Sequence, residues 1–363
     1  VRIYEYSAGD WVQLGSDIDG EAEGDLSGYS VSLSSDGTIV AIGAWGNDGT
    51  GFYSGHVRVY EYSGNNWVQL GSNIEGEAEG DWAGKSVSIN SDGSIVAIGA
   101  QLNVGNGNNS GHVRVYEYSG SDWVQLGGDI DGEAEGDWAG RSVSINSDGS
   151  IVAIGAPYND GNGQDAGHVR AYEYSGGDWV QLGSDIDGEA AGDHSNNVSL
   201  SADGTIVAIG ATGNDANGDN AGHVRVYEYS GGDWIQFGSD IDGEVENDFS
   251  GENVSLSSDG TIVAIGAIFN DANGDNAGHV RVYSLDGTVP YTGPVWHVAG
   301  YGSDSLGDGS YGFPYGSIQK AIDISENGDT VRVSSGTYIG NINFYGKDIV
   351  VEGEGPETTI IDG

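Results

Sequence analysis

The sequence predicts an all-β fold built as a β-propeller of four-stranded blades, and three observations predict it. The tetrapeptide Gly-His-Val-Arg recurs with its histidine at His56, His112, His168, His223 and His279, at spacings of 56, 56, 55 and 56 residues. Each unit so marked holds short strand-like pieces divided by Gly, Asn, Asp or Ser, four of them where the unit is complete. The composition agrees: 66 Gly, only 5 Pro and 10% aromatic residues, mostly Tyr and Trp, suit many short strands joined by tight turns.

The second unit shows the elements in order. SVSIN (Ser86 to Asn90) reads as the first strand, SIVAIGA (Ser94 to Ala100) as the second, GHVRVYEYS (Gly111 to Ser119) as the third and DWVQLGG (Asp122 to Gly128) as the fourth. The second is nearly all apolar, as expected of a strand covered on both faces. The third alternates, Val113, Val115 and Glu117 facing one way and Arg114, Tyr116 and Tyr118 the other. Four antiparallel strands in roughly 55 residues is the anatomy of a propeller blade. Tryptophan-aspartate and kelch propellers repeat at about 40–45 and about 50 residues, so the period fits neither.

The first and last units are incomplete. The chain opens on third- and fourth-strand copies with no first or second before them, and nothing like Trp-Val-Gln-Leu follows Tyr283. A three-stranded last blade leaves a bare edge, so Asp10 to Ile18 is predicted to supply its outer strand and close a ring of five, with Val1 to Ser7 unused. That unused strand fits a parent of six or seven blades equally well. The first residue is Val1 and the chain has no Met, which is expected of a processed product or a piece of a longer chain.

The units resemble the FG-GAP repeat of integrin-like propellers. The likeness rests on Gly84-Lys-Ser-Val-Ser before the first strand, Asp92-Gly-Ser-Ile-Val-Ala-Ile-Gly-Ala through the second and Gly111-His-Val-Arg-Val-Tyr in the third, and it recurs over residues 1 to 284. It implies a propeller that serves adhesion, recognition or enzyme display. It also implies a Ca²⁺ site in an acid-rich loop between first and second strands. Here that loop is SSDG, with Asp36 the one ligand left and Val40 where a later acid belongs.

After Ser284 the period stops. Residues 285–294, LDGTVPYTGP, read as a linker between a propeller over 1–284 and a second domain over 295–363, with Pro290 and Pro294 blocking regular structure. The second domain predicts one helix, from Ser317 as N-cap to about Glu326, with Ile318, Ala321 and Ile322 on one face and Gly328 at its end. Strands are predicted at Thr330 to Val333, Ile349 to Glu352 and Thr359 to Ile361. The succession Trp-His-Val, Gly-Ser-Asp, a capping helix, Gly-Asp-Thr-Val, Gly-Thr-Tyr and Ile-Ile-Asp-Gly resembles the start of a pectin-lyase-like right-handed parallel β-helix. The resemblance implies a truncated solenoid whose further coils, with any lyase acids and bases, lie after Gly363.

Lys plus Arg number 11 against 56 Asp plus Glu, a formal charge of -45, which repels phosphate backbones and anionic headgroups. Neither nucleic acid nor membrane insertion is expected, because no apolar run approaches the ~20 residues of a span. The absence of Cys excludes disulfides and thiolate chemistry. The expected location is extracellular or at the cell surface.

Ca²⁺ is the one cofactor the residues point to. The loops from second to third strand read NDGNGQDAG from Asn159 and NDANGDNAG from Asn214 and from Asn270. Asp160, Asn162 and Asp165, then Asp215, Asn217 and Asp219, then Asp271, Asn273 and Asp275 offer side-chain oxygens on glycine-loosened loops, as a Ca²⁺ site requires. The same residue types are ordinary turn formers. The acidic string GEAEGD (Glu21, Glu23 and Asp25; Glu77, Glu79 and Asp81; again from Glu133) is alike in each copy, so it reads as a solvated inter-blade turn and not as a catalytic pair of unlike carboxyls. Arg58, Arg114, Arg170, Arg225 and Arg281 are expected to tie blades to loops, and the histidine before each is expected to be structural. Trp11, Trp67, Trp123, Trp179 and Trp234 are expected in the core between blades.

The expected function is a non-catalytic extracellular recognition or adhesion module, binding a glycan or protein ligand through propeller loops. The alternatives are a piece of a secreted polysaccharide lyase or glycosidase with its catalytic coils after residue 363, and a viral or cell-surface fibre.

Overall fold

The computed structural model describes residues 1–7, 9–285, 295–304, 307, 309, 313–325, 329–353, 355 and 358–362. All but the first residue of the predicted linker lies outside them, as do Glu326 and Gly328. The chain divides into two compact units, Val1–Val282 and Tyr283–Gly363.

The first unit is a propeller-type succession of five antiparallel blades. The first is Ser30–Leu33, Ile39–Ala44, His56–Ser63 and Asn66–Gln69, in sheet order, and the next three repeat it. A short piece after each outer strand, such as Ile74–Glu75, pairs back on the start of the third strand. The apolar second strands are buried on both faces, Val96, Ala97 and Ile98 being 0–3% exposed. Each core is shared between neighbours: Ala41, Val57 and Val59 of the first blade meet Val87, Ile89 and Trp123 of the second. Turns after the inner strands are linked from blade to blade, Ser35, Ser91, Ser147 and Ala202 N–H donating in turn to the carbonyls of Ser91, Ser147, Ala202 and Ser258 at 2.8–3.0 Å. The inner strands of all five blades converge there, Leu33, Ile89, Ile145, Leu200 and Leu256 lining one recess of about 230 Å³.

The predicted closure is corrected. Asp10–Gln13 pairs antiparallel with Tyr4–Ser7, and Val1 and Ile18 exchange backbone hydrogen bonds, while the last blade has three strands among the described residues. Closing a short hairpin loses far less chain entropy than joining segments some 270 residues apart. The opening hairpin corresponds to the outer two strands of a blade, with Ile3 and Ile18 packed on Val40, Ile42, Tyr60 and Trp67. Both ends of the stack carry open interfaces. Val31 and Leu33 are 52% and 48% exposed where Val87 and Ile89 are 9% and 6%, and Val280 and Val282 are 68% and 65% exposed where Val113 and Val115 are fully buried. The glycine of each Ile-Gly-Ala reports the same asymmetry. A Cβ on Gly99 would run into the Gly140 carbonyl of the next blade, whereas one on Gly266 meets nothing nearer than 3.6 Å.

In the second unit Val295–Val298, Thr330–Val333 and Val350–Gly353 form a parallel sheet, and Gly336–Ile339 pairs in parallel with Thr359–Asp362. The helix is Ile318–Ile324, capped by the Ser317 hydroxyl, which accepts the Lys320 N–H. It buries Ile318, Ala321 and Ile322 against Trp296, Val331 and Val333. Lys347 donates to the carbonyls of Ile322 and Asp323 at 2.8 Å, satisfying the helix end.

Candidate binding face and imidazole–carboxylate clusters

In an antiparallel blade, the loop from second to third strand and the link to the next blade leave from the same end, so both meet on one face. Backbone bonds join them: the N–H groups of Trp82, Trp138, His194 and Phe249 donate to the carbonyls of Tyr53, Asn109, Asp165 and Asn220 at 3.1–3.2 Å. Beneath each junction a buried Asp holds the turn. Asp81 accepts the Ala78 N–H at 2.9 Å and the Asn103 amide at 3.1 Å, and Asp25, Asp137, Asp193 and Asp248 repeat the pattern. The acidic string is thus split: its last Asp is 1–5% exposed in these blades, while Glu23, Glu79 and Glu135 face solvent.

The residue after that Asp is held in the left-handed region in every repeat: Leu26, Trp82, Trp138, His194 and Phe249 have φ of 56, 61, 58, 52 and 52°, the first of them with no junction bond, so the turn around the buried Asp sets the conformation and the junction bonds add to it. Such a conformation costs a non-glycine residue about 1–3 kcal/mol. It brings these side chains onto the face beside a second set. Trp82 packs on Trp45 (4.5 Å between centroids), Trp45 on Tyr29 (6.0 Å), Trp138 on Tyr158 (4.7 Å), Tyr158 on His194 (5.2 Å) and Phe249 on Phe269 (5.3 Å). The Lys85 ammonium lies 3.8 Å from the Tyr29 ring centroid and 4.6 Å from that of Trp45. Hydrogen bonding to Lys85 holds the Tyr29 phenol below its ordinary pKa. A recess of about 290 Å³ opens among Arg141, Tyr158, His194, Phe249 and Phe269.

A second arrangement lies between blades. His112 is 1% exposed, and its Nδ1 sits 3.9 Å from Glu77 Oε2 of the preceding link and 4.0 Å from Asp129 Oδ2 of its own blade. The other oxygen of each carboxylate is anchored: Glu77 Oε1 by Arg114 at 3.4 Å, Asp129 Oδ1 by the Gln125 amide at 2.7 Å. The same grouping recurs as Glu133, His168 and Asp185 and as Glu189, His223 and Asp240. Burial drives the His112 and His168 imidazoles down to a pKa of about 4, and lowers those of His56 and His223. Each arginine also donates to a carbonyl of the preceding link, Arg114 to Glu75 at 2.8 Å, which is the expected structural role.

The predicted Ca²⁺ loops lie on the first face. Asp160, Asp215 and Asp271 accept the N–H five residues on, at 2.8, 2.7 and 2.6 Å, as turn formers do. Asn162 and Asn217 donate their amides to the carbonyls of Gly188 and Glu189, and of Gly243 and Glu244. Asp165 takes the left-handed place that Asn220 takes in the next repeat, so Asp165 and Asp219 are not counterparts. Asn273 and Asp275 are exposed. Asp36 of SSDG accepts from Thr38 N–H and from the hydroxyls of Ser34 and Thr38, closing its own turn.

Sequence reasoning missed the face residues Tyr29, Trp45, Trp82, Lys85, Trp138 and Tyr158. The signal was variability: in near-identical repeats, the positions of Trp82 and Lys85 change from unit to unit, to Leu26 and Tyr29 or Phe249 and Glu252. It also missed that His112, His168 and His223 each meet two carboxylates.

No family model and no curated protein is similar to the chain. Among solved structures it is similar to TolB from Acinetobacter baumannii, at 16% identity and a TM-score of 0.44 over 71% of this chain and 52% of that one. It is similar also to the hydrazine synthase of Kuenenia stuttgartiensis, at 14% identity and a TM-score of 0.46 over 74% of this chain and 66% of that one. The chain thus spans about half to two thirds of their length. At that likeness the propeller assignment rests on strand order and register within the chain itself.

Proposed function

We propose that the first unit is a non-catalytic recognition module that binds a neutral glycan through its aromatic face, as part of an extracellular or cell-surface protein. The observation that carries this is the recurrence of bulky side chains on left-handed backbone, on one face, in successive repeats. Strain of that kind persists where the fold over-determines it and clusters at ligand sites. Half-buried Trp82 and Trp138 offer flat apolar surface of the kind that stacks on sugar C–H faces, and Lys85 and Arg141 add donors for hydroxyls. A polyanionic glycan is disfavoured by the charge of -45.

The test is calorimetry against neutral xylan-, glucan- and mannan-type oligosaccharides, with polygalacturonate as control. Binding to a neutral sugar is expected, weakened at least tenfold in Trp82→Ala/Trp138→Ala with the circular dichroism unchanged. Binding to none of them, or binding indifferent to both tryptophans, rejects the glycan in favour of a protein ligand. If the Asn-Asp loops hold Ca²⁺, added calcium raises the unfolding temperature of chelator-treated protein and Asp215→Ala/Asp271→Ala removes the rise. Indifference to calcium dismisses the ion.

The same reading takes the repeats as integrin-like and the second unit as the opening coils of a right-handed parallel β-helix. Parallel pairing of Thr330 with Val350 and of Gly336 with Thr359 supports successive coils of similar length.

A further inference from the structure

We propose that the three buried imidazole–carboxylate clusters bind divalent transition metal, with Zn²⁺ the best fit, and that the ions staple each blade to the link before it. In every cluster one imidazole nitrogen and two carboxylate oxygens lie within 4.8 Å of one another. The separations of 3.8–4.0 Å from His112 Nδ1 to Glu77 and Asp129 and from His168 Nδ1 to Glu133 are too long for hydrogen bonds. Accordingly, Nδ1 of His168 and both ring nitrogens of His223 are buried without a hydrogen-bond partner. An imidazole so placed leaves polar atoms unsatisfied unless something occupies the space it faces.

The surroundings have the form of a metal site's outer shell. Gln125, Gln181 and Gln236 each hold one oxygen of Asp129, Asp185 and Asp240, at 2.6–2.7 Å. Arg114, Arg170 and Arg225 stand 3.3–3.6 Å from Oε1 of Glu77, Glu133 and Glu189. In each case the second oxygen is left turned toward the histidine, an orientation that outer-shell partners impose on ligands. In the second of the clusters Asn159 also reaches Glu133 Oε2, at 3.4 Å. Imidazole nitrogen with carboxylate oxygens suits zinc, whereas Ca²⁺ and Mg²⁺ take oxygen alone. Zinc–ligand lengths of about 2.0–2.2 Å require ligand atoms roughly 3.4 Å apart, a closure within reach of carboxylates on exposed side chains.

The first repeat is a natural contrast. Asn73 stands where the others have Asp, so the outer-strand carboxylate is missing; His56 Nδ1 has Glu21 and Glu75 at 3.7 and 4.0 Å, but these do not form the compact grouping of the other three. Among the described residues the fifth repeat has His279 and Glu244 without an outer-strand acid. Three ions per chain are therefore expected.

The test is equilibration of the chain with Zn²⁺ in excess Mg²⁺, which saturates the acidic surface, followed by gel filtration and elemental analysis. About three zinc ions are expected to remain, and Co²⁺ loading should give visible bands of nitrogen–oxygen coordination. The triple variant Asp129→Asn/Asp185→Asn/Asp240→Asn copies the first repeat at exposed or half-buried positions and should fold. It is expected to retain none of the three ions. No retained zinc in the parent chain, or equal retention in the triple variant, overturns the proposal. Glycan binding by the aromatic face is independent of either result.

Discussion

Replacing Trp123 by Ala is expected to destabilise the second blade by about 3–5 kcal/mol, whereas Trp11→Ala, at the same place in the opening hairpin, shifts stability by about 1 kcal/mol at most. Trp123 is 9% exposed, set among Ala41, Val57 and Val59 of the first blade, and its indole N–H donates to the Leu70 carbonyl at 2.9 Å. Truncation removes its buried area, opens a cavity and leaves that carbonyl unpaired. Trp11 is 65% exposed and touches Tyr6 edge-on at 5.4 Å. The residue, strand and local sequence are the same, so the difference isolates what a preceding blade contributes. Urea unfolding followed by near-ultraviolet dichroism, with hydrogen exchange to locate the weakened blade, measures it. Equal losses would place the energy within each hairpin and not between neighbours. Because stacked repeats couple to nearest neighbours, the exchange protection lost should be greatest in the first and second blades.

The blade was legible because its signals are local. Gly-His-Val-Arg fixes the third strand, and Ile-Val-Ala-Ile between Gly-rich turns can only be a strand with both faces covered, as Val96 and Ile98 are. The tryptophans followed from the same logic, and four of the five, Trp67, Trp123, Trp179 and Trp234, are buried between blades. The fate of Asp10 to Ile18 was not legible, because a fourth strand looks the same whether it joins its own hairpin or a distant sheet. The binding face was hidden for another reason. Nothing in Gly-Asp-Trp announces a left-handed tryptophan; the turn around the buried Asp sets it, as at Leu26, and the bond from Trp82 to Tyr53 ties it to the neighbouring loop. The clusters were hidden by separation: Glu77, His112 and Asp129 come from three pieces of chain, and only the stacking of blades brings them together.

Metal-free protein is expected to lose stability steeply as pH falls from about 6.5 to about 4. His56, His112, His168 and His223 are at most 1% exposed. Burial is the main cause of the lowered pKa of His112 and His168, reinforced by Arg114 and Arg170 and opposed by Asp129 and Asp185. The unfolded chain takes up a proton on each at about pH 6.5, the folded chain only near 4. Between those values the unfolded state binds more protons, so stability rises with pH there. The contribution is whole above about 6.5 and gone below about 4, on the order of 3 kcal/mol for each of these two residues. Asp131 and Asp187, whose carboxyls burial holds above their ordinary value, work in the opposite sense and soften the lower end of the fall. Urea midpoints taken with chelator between pH 7.5 and 4.5 give the slope. In His112→Asn/His168→Asn the curve should flatten across that window while a carboxylate-driven fall persists at lower pH. An unchanged slope would assign the acid sensitivity to the carboxylates alone. Because His56 and His223 are lowered by the same burial, removing them as well should flatten the curve further, one step for each imidazole that the stacking of blades keeps from water.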